Sequence, residues 1–529
     1  MTNAVRIASL YTSALVAAVV AALWLLVVVP ETAYFLLDAD GGFFIQGAYD
    51  WRVAGLLPQV DVHSSYGPLS FAVRAALQSL FGDRLVTEVL LAVIGYGIAY
   101  GLLFSVVRDL TRSPGAAWAL VLAALLCLPR YYKFPVVLIP ALSTFVGVRL
   151  VTRPVTAWSA VGAGASVGLA LLFRHDYFAF ASAVVGLAFV LRMRRDWRVW
   201  RLLPVAVAGW ALVSAPWLGV LARTRGLGSY AEEIMGVTGS KIVGLGLPHP
   251  LLHWTNPVVT LLFALVYAMP LMAIAALLAT RRQPGEPASR HQLWVAVAAG
   301  LVFLPQSMHR ADYGHLLQVV PSCLTALAAA WRLTPTTRAV PSPRLVAPLL
   351  VGAMVCALGY LGGSTVPSWS GQPLRGRLAA LFVPADRIAS RVGSLPPSVP
   401  RQVLTLLRSC APRGTSVAVF PFAPQLAYFS GLVHGGAFLV LAPGYFDDPA
   451  SLADAFAALG RDRTSIVLWD ETMIFDGRSD RHSVRTHAPL HASVAREFRE
   501  IGTMDGYTIF VHPELTRDVS FVLREARCL

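Results

Sequence analysis

The run ASLYTSALVAAVVAALWLLVVVP, Ala8–Pro30, followed seven residues later by LDADGG, Leu37–Gly42, decides how this chain is read. The run holds no charged residue. It is long enough to cross a bilayer, which takes about 20 apolar residues. It has no small-residue cleavage site, so it reads as a retained anchor rather than a signal peptide. Asp38 and Asp40 therefore stand at or just outside a membrane face. Carboxylates are costly near hydrocarbon and tend to persist there for function. The structural alternative for both is a helix cap or a turn, because Asp-Gly is a common turn pair.

Composition extends this reading to the whole chain. Of 529 residues, 56% are hydrophobic and 14% are charged, where a soluble protein carries about a quarter. The chain reads as a polytopic α-helical membrane protein. The net charge of +14 would suggest nucleic acid in a soluble chain. Here the cations fall mostly in short loops between apolar runs, where they report topology, and no nucleic-acid partner is expected. Lys133 and Lys241 are the two lysines; every other basic side chain of that balance is Arg.

About eleven membrane-spanning helices are predicted, near 8–30, 85–107, 115–129, 134–151, 157–173, 177–192, 202–221, 257–280, 291–306, 314–331 and 345–363. Pro68–Phe81 is apolar but contains Arg74 and Gln78, and reads as an interfacial amphipathic helix. With the N-terminus in the cytoplasm, Arg-rich loops such as Arg192–Arg201 lie inside, while the loops holding Asp38, Asp40, Asp61, Asp176, Glu232, Glu233 and Asp312 lie outside. An odd number of spans puts the C-terminal region outside as well.

The expected organisation is a transmembrane domain over 1–363, with an outside loop and interfacial helices at 31–82, a Gly/Ser/Pro-rich linker at 364–400, and an extracytoplasmic α/β domain at 401–529. In that last region, strand-length apolar runs at Ser416–Phe420, Phe438–Leu441, Ser465–Trp469 and Tyr507–Val511 alternate with helical patterns near Gln402–Cys410, Ala450–Leu459 and Ala488–Ile501. It lacks a Gly-rich phosphate loop, so the layered pattern does not imply a nucleotide. Cys127, Cys323 and Cys356 lie in apolar runs and read as small core residues. A disulfide between Cys410 and Cys528 stays open.

The loop after the first span reads DADGGFFIQGAYDWRVAGLLPQVDVHSSYGPLSFAVRAALQSLFG. Here the chain resembles the GT-C class of integral-membrane glycosyltransferases, which includes protein O-mannosyltransferases and the aminoarabinose transferases of lipid A. That class shows an acid just after the first span, an aromatic about four residues on, a helix ending in Gly, a Pro, and a Pro-Leu opening an interfacial helix that ends in Phe-Gly. The matching features are Asp40, Phe44, Gly55, Pro58, Pro68–Leu69 and Phe81–Gly82. The segment Val419–Gly431, VFPFAPQLAYFSG, resembles a Pro…Tyr-Phe…Gly pattern in the outside domains of such enzymes. The class often has Asp-Glu where this chain has AspAlaAspGly, which leaves Asp38 and Asp40 both candidates for the base.

The resemblance implies a sugar transferred from a polyprenyl-phosphate donor to an extracytoplasmic acceptor, among membrane lipids. Asp40 would be the base, supported by Asp38. A base that deprotonates the acceptor hydroxyl is the chemistry this reaction needs; phosphate is already a good leaving group, so one carboxylate suffices in an inverting displacement. The leaving phosphate needs cations. Arg130, Lys133, Arg174 and Arg310 lie on the outside, against the charge bias. Their alternative roles are snorkelling, or pairing with Asp176 and Asp312. Asp61, His63, Tyr66, Asp312 and His315 are further candidates for substrate contact. No cofactor is firmly implied. A divalent metal stays open as the alternative for Asp38, Asp40, Asp61, His63, His175, Asp176, Asp312 and His315, although no spacing matches a metal motif. Glu232, Glu233 and Lys241 lie in a long loop at 222–256 that reads as solvated or as a lid, and Trp217 and Trp254 read as interface anchors. The competing class is a transporter or lipid-flipping protein, which would carry charges in mid-span and an internal repeat; the acids here cluster at run ends instead.

Overall fold

The computed structural model describes residues 14–25, 39–64, 66–127, 131–232, 234–235, 246–253, 256–280, 287–332, 343–365, 374–388, 400–411, 415–436, 438–443, 464–513 and five residues between 453 and 459. Asp38, Arg130, Glu233, Lys241, Trp254 and Cys528 lie outside the described residues, as do the side chains of Asp40, His309 and Cys410. The chain forms two compact units. One comprises 1–28, 92–218 and 246–370, the other 29–91, 219–245 and 371–529.

The first unit is helical. Every one of the eleven apolar runs contains a helix. Six are long and apolar enough to cross a membrane: Val86–Thr111, Pro135–Thr152, His175–Met193, Trp197–Thr224, Pro257–Ala279 and Tyr313–Trp331. The others are shorter or more polar among the described residues, including Ala14–Leu25, Pro114–Leu126, Ala157–Phe173 and Ala347–Gly359. This multi-pass membrane chain packs its helices through small residues. A Cβ on Gly164 would lie 2.7 Å from the Ala206 carbonyl carbon and 2.8 Å from the Trp210 amide nitrogen, so Ala157–Phe173 and Leu203–Thr224 approach too closely there for a larger side chain without a backbone shift. In lipid, close backbone approach of this kind replaces the hydrophobic effect as the source of helix association.

The second unit is built on a five-stranded sheet of order β2-β1-β3-β5-β4, with β1 Ser416–Phe420, β2 Val433–His434, β3 Ile466–Asp470, β4 Arg499–Met504 and β5 Tyr507–Val511. The strand β1 runs parallel to β2 and β3; β5 is antiparallel to β3 and β4. The apolar stretches VAVF and IVLW are buried throughout, as strands covered on both faces require. Ala418, Phe420, Val467, Trp469 and Phe510 form the core with Leu490 and Val494 of the helix Ala488–Glu497.

Three elements differ from the sequence reading. Phe438–Leu441 was expected to be a strand; it is an irregular buried segment, tied by the Leu441 amide to the Pro421 carbonyl at 2.7 Å. Its apolar side chains fill the core without joining the ladder. The last helix stops at Glu497, and the residues expected to extend it to Ile501 enter β4, an exposed edge strand with a bulge between Glu500 and Gly502. Charge and a bulge are ordinary protections for an edge. In the stretch read as a linker, helices occupy Leu374–Leu381 and Ala385–Ile388, and the Ala385 amide bonds the Asp83 carbonyl at 2.7 Å.

Candidate functional site

The segment that carries the acids is a helix, Ala39–Ala54, closed by Gly55 at φ 72°. Asp40 lies in its first turn, where the helix dipole favours a negative charge. Gly42 allows this turn to dock: a Cβ there would come 2.7 Å from the Gln425 Cβ, on the helix Gln425–Ser430. Farther along, Phe43 and Phe44 pack with Tyr66 and Phe71, ring centroids 4.6 to 5.9 Å apart.

The helix Leu69–Phe81 starts after Pro68 and stops at Gly82, the bounds the resemblance implied. Its polar residues face inward. Arg74 and Gln78 are buried, while Leu80 and Phe81 are exposed. Arg74 Nε donates to Glu88 at 2.8 Å, both side chains essentially sealed from solvent, and its guanidinium lies 4.5 Å over the Phe44 ring.

Asp50, which the sequence reading did not single out, is the buried carboxyl of this unit. Its Oδ1 accepts from Gln46 Nε2 at 2.7 Å and from the His434 amide on β2 at 3.0 Å. Gln46 Nε2 also reaches the Leu432 carbonyl at 3.2 Å. Burial pushes the Asp50 carboxyl up to about 8, against the opposing pull of those two donors. Burial likewise pushes the His434 imidazole down to about 3. Its Nε2 accepts the Val419 amide at 3.3 Å. The sequence signal that could have found Asp50 is its spacing of four from Gln46, which puts both on one face of a helix.

The other predicted residues of this unit are placed as follows. Asp61 accepts the Leu57 amide at 2.8 Å and closes a turn. His63 stacks on Phe438, centroids 4.1 Å apart and planes 5° from parallel. Tyr66 belongs to the aromatic cluster above. Glu232 is exposed.

In the helical unit, three of the predicted cations come from adjoining segments. Lys133 is buried and immediately precedes Phe134, whose ring lies 5.8 Å from that of Phe173. Arg174 follows, and its Nη2 donates to Gln306 at 3.2 Å. Gln306 stands four residues before Arg310, on the short helix Pro305–His309. The helices Pro135–Thr152, His175–Met193 and Tyr313–Arg332 begin two, one and three residues after Lys133, Arg174 and Arg310. A helix start carries partial positive charge; at two of these three starts an aspartate, Asp176 or Asp312, accepts a backbone amide.

Both arginines are paired, as the alternative reading held, by one repeated device. Arg174 donates from Nε and Nη2 to the two carboxylate oxygens of Asp176, at 2.9 and 2.5 Å, and Asp176 accepts the Tyr177 amide at 3.0 Å. Arg310 Nε donates to Asp312 at 2.9 Å, and Asp312 accepts the His315 amide and sits 2.8 Å from His315 Nδ1. Each aspartate holds an arginine two residues before it and accepts a backbone amide one or three residues after it. A guanidinium has five N–H donors, so one held this way still has donors to offer a second anion. Nearby, the sequence reading missed a chain of hydroxyls: His249 Nε2 lies 3.2 Å from Tyr267 Oη, which lies 3.1 Å from Ser307 Oγ.

Among the described residues, no three His, Cys, Asp or Glu side chains gather as a metal site would need. The acid–histidine pair Asp312–His315 is engaged with Arg310, which fits an anion site better than a cation site.

No family model and no curated protein matches the chain. Among solved structures it is similar to ArnT from Cupriavidus metallidurans bound to undecaprenyl phosphate, at 14% identity, and to the same protein in the apo state, at 15%; each alignment covers 92% of this chain and 97% of the other, with a TM-score of 0.49.

Proposed function

We propose that this chain is a GT-C-type glycosyltransferase that moves a sugar from a polyprenyl-phosphate donor to an acceptor outside the cytoplasm. In this reading it spans the plasma membrane about eleven times with its N-terminus inside, and the loop at 31–82 and the sheet-bearing C-terminal region lie outside. Asp40 takes the proton of the acceptor hydroxyl as its oxygen bonds to the anomeric carbon; the bond from that carbon to the phosphate oxygen breaks, and the polyprenyl phosphate leaves with the bonding pair. Asp38 supports the base. Lys133, Arg174 and Arg310, with Arg130, hold the departing phosphate. Asp61, His63, Tyr66, Asp312 and His315 are assigned to substrate contact or to orienting groups that make it. No step requires a metal.

The observation that supports the reading is that Lys133, Arg174 and Arg310 lie on adjoining segments near helix starts, linked by the Phe134–Phe173 ring contact and the Arg174–Gln306 bond. A phosphate is the ligand such donors suit. The test is binding of undecaprenyl phosphate to the purified protein in nanodiscs, wild type against the double variant Arg174→Gln/Arg310→Gln. Affinity should fall by at least about tenfold, the scale of lost charge-assisted hydrogen bonds. Equal affinity in both proteins removes the phosphate site from the proposal.

A further inference from the structure

The helix Ala39–Ala54 is locked at both ends of one face. Its first turns meet Gln425 through Gly42, and its later turns meet β2 through Asp50 and Gln46. Asp50 is 1% exposed and Gln46 fully buried. The second oxygen of each, Asp50 Oδ2 and Gln46 Oε1, has no hydrogen-bond partner among the described residues. A packing seam gains nothing from such groups, and a leucine of similar volume would fill the space without orphaned oxygens. What Asp50 provides instead is direction. Two bonds leave the helix, from the His434 amide to Asp50 Oδ1 and from Gln46 Nε2 to the Leu432 carbonyl, and together they fix the helix's rotation and its height along the sheet, while the Gln46–Asp50 bond holds the two side chains in place.

We propose that Asp50 is a positioning residue that pins the register of the helix Ala39–Ala54 on β2 and so fixes where its first turn, with Asp40, is held for transfer. The inference rests on the role proposed for Asp40, ten residues earlier on the same rigid element. Apolar packing lets a helix slide or turn by fractions of a residue; two directional bonds to the backbone at Leu432 and His434 do not. A displacement of about 1 Å at a reacting group is enough to cost about a hundredfold in rate.

The experiment compares wild type, Asp50→Asn, Asp50→Ala and Gln46→Met, each as full-length protein in nanodiscs, by hydrogen exchange and by transfer from a labelled polyprenyl-phosphate hexose. Asparagine keeps the accepting oxygen, so Asp50→Asn should exchange the amides of 39–54 within about threefold of wild type and retain kcat. Asp50→Ala should exchange the same amides at least about tenfold faster and lose at least about tenfold in kcat, with KM for the donor within about threefold. If Asp50→Ala fails to fold, Gln46→Met removes one donor to the same oxygen and should speed that exchange by about threefold. Unchanged exchange over 39–54 in Asp50→Ala or Gln46→Met, or equal loss in Asp50→Asn and Asp50→Ala, overturns the proposal. If the wild type transfers nothing, the proposed function has failed on its own while the exchange result still decides whether Asp50 pins the helix.

Discussion

Asp50 shows how a buried contact can be invisible in a motif. In the string DADGGFFIQGAYDW the two acids beside the membrane run stand out, and Asp50 does not. Only the pairing of Gln46 with Asp50 across one helical turn, and of Asp50 with a strand almost 400 residues away in the chain, gives it a role. Its titration makes a prediction. The folded pKa of about 8 lies above the unfolded value of 3.8, so its contribution to stability is full below about pH 4, declines as pH rises, and is lost above about pH 8. Asp50→Asn, neutral at every pH, should therefore melt higher than wild type at pH 8, with the difference shrinking toward pH 5; a variant that melts lower at pH 8 would show the carboxylate to be stabilising. Arg174 invites a second substitution. Its guanidinium holds both oxygens of Asp176 and reaches Gln306, a geometry that a lysine ammonium cannot copy. Arg174→Lys should raise KM for the lipid-linked donor by about tenfold while the charge is unchanged; wild-type kinetics would reduce Arg174 to a point charge or to none.

At the scale of elements, the helix Leu69–Phe81 combines a legible boundary with an illegible orientation. Pro68 and Gly82 bracket it in the sequence as in the fold. Which way its polar face turns depends on Glu88, a residue beyond the next turn, which draws Arg74 inward. A buried ion pair of this kind is costly to break by halves and cheap to replace whole. Glu88→Ala should destabilise the protein by about 3–5 kcal/mol, whereas the double variant Arg74→Met/Glu88→Leu should lie within about 2 kcal/mol of wild type. Denaturation in detergent micelles measures both, and equal losses would mean that the pair is not coupled. The sheet teaches the same lesson. Strands β1 and β5 match their apolar runs residue for residue, because a strand buried on both faces is apolar throughout. Phe438–Leu441 is just as apolar and makes no strand, and β4, with Arg499 and Glu500, makes one. Partners across the chain decide those two, and a local window does not contain them.

Across the whole molecule, three buried groups of the sheet-bearing unit set a common pH dependence. His434 at about 3 and His487 at about 4 are held neutral by burial. Their folded values lie below the unfolded 6.5, so their contributions are full above about pH 6.5 and are lost as pH falls. Asp50 acts in the opposite direction up to about pH 8. Together they predict greatest stability near pH 6.5, with melting temperature falling on either side; a melting temperature that climbs steadily from pH 6.5 to 8 contradicts that balance. The membrane character of the chain was legible from charge content and run length alone, since every apolar run became helical. The grouping of its segments was less so. The loop at 31–82 shares a compact unit with the C-terminal region rather than with the helices next to it in sequence, and nothing in composition signals such long-range assembly.

The central claim is that Asp40 is the base of a sugar transfer. Its most direct test is proteoliposomes carrying a labelled polyprenyl-phosphate sugar and a hydroxyl-bearing lipid acceptor, with wild type compared against Asp40→Asn. Label should appear on the acceptor with wild type and fall by at least about a hundredfold in the variant, the scale of a removed general base, with the variant still folded and inserted. Full transfer by Asp40→Asn, or movement of the intact labelled lipid across the bilayer with no bond broken, contradicts that claim.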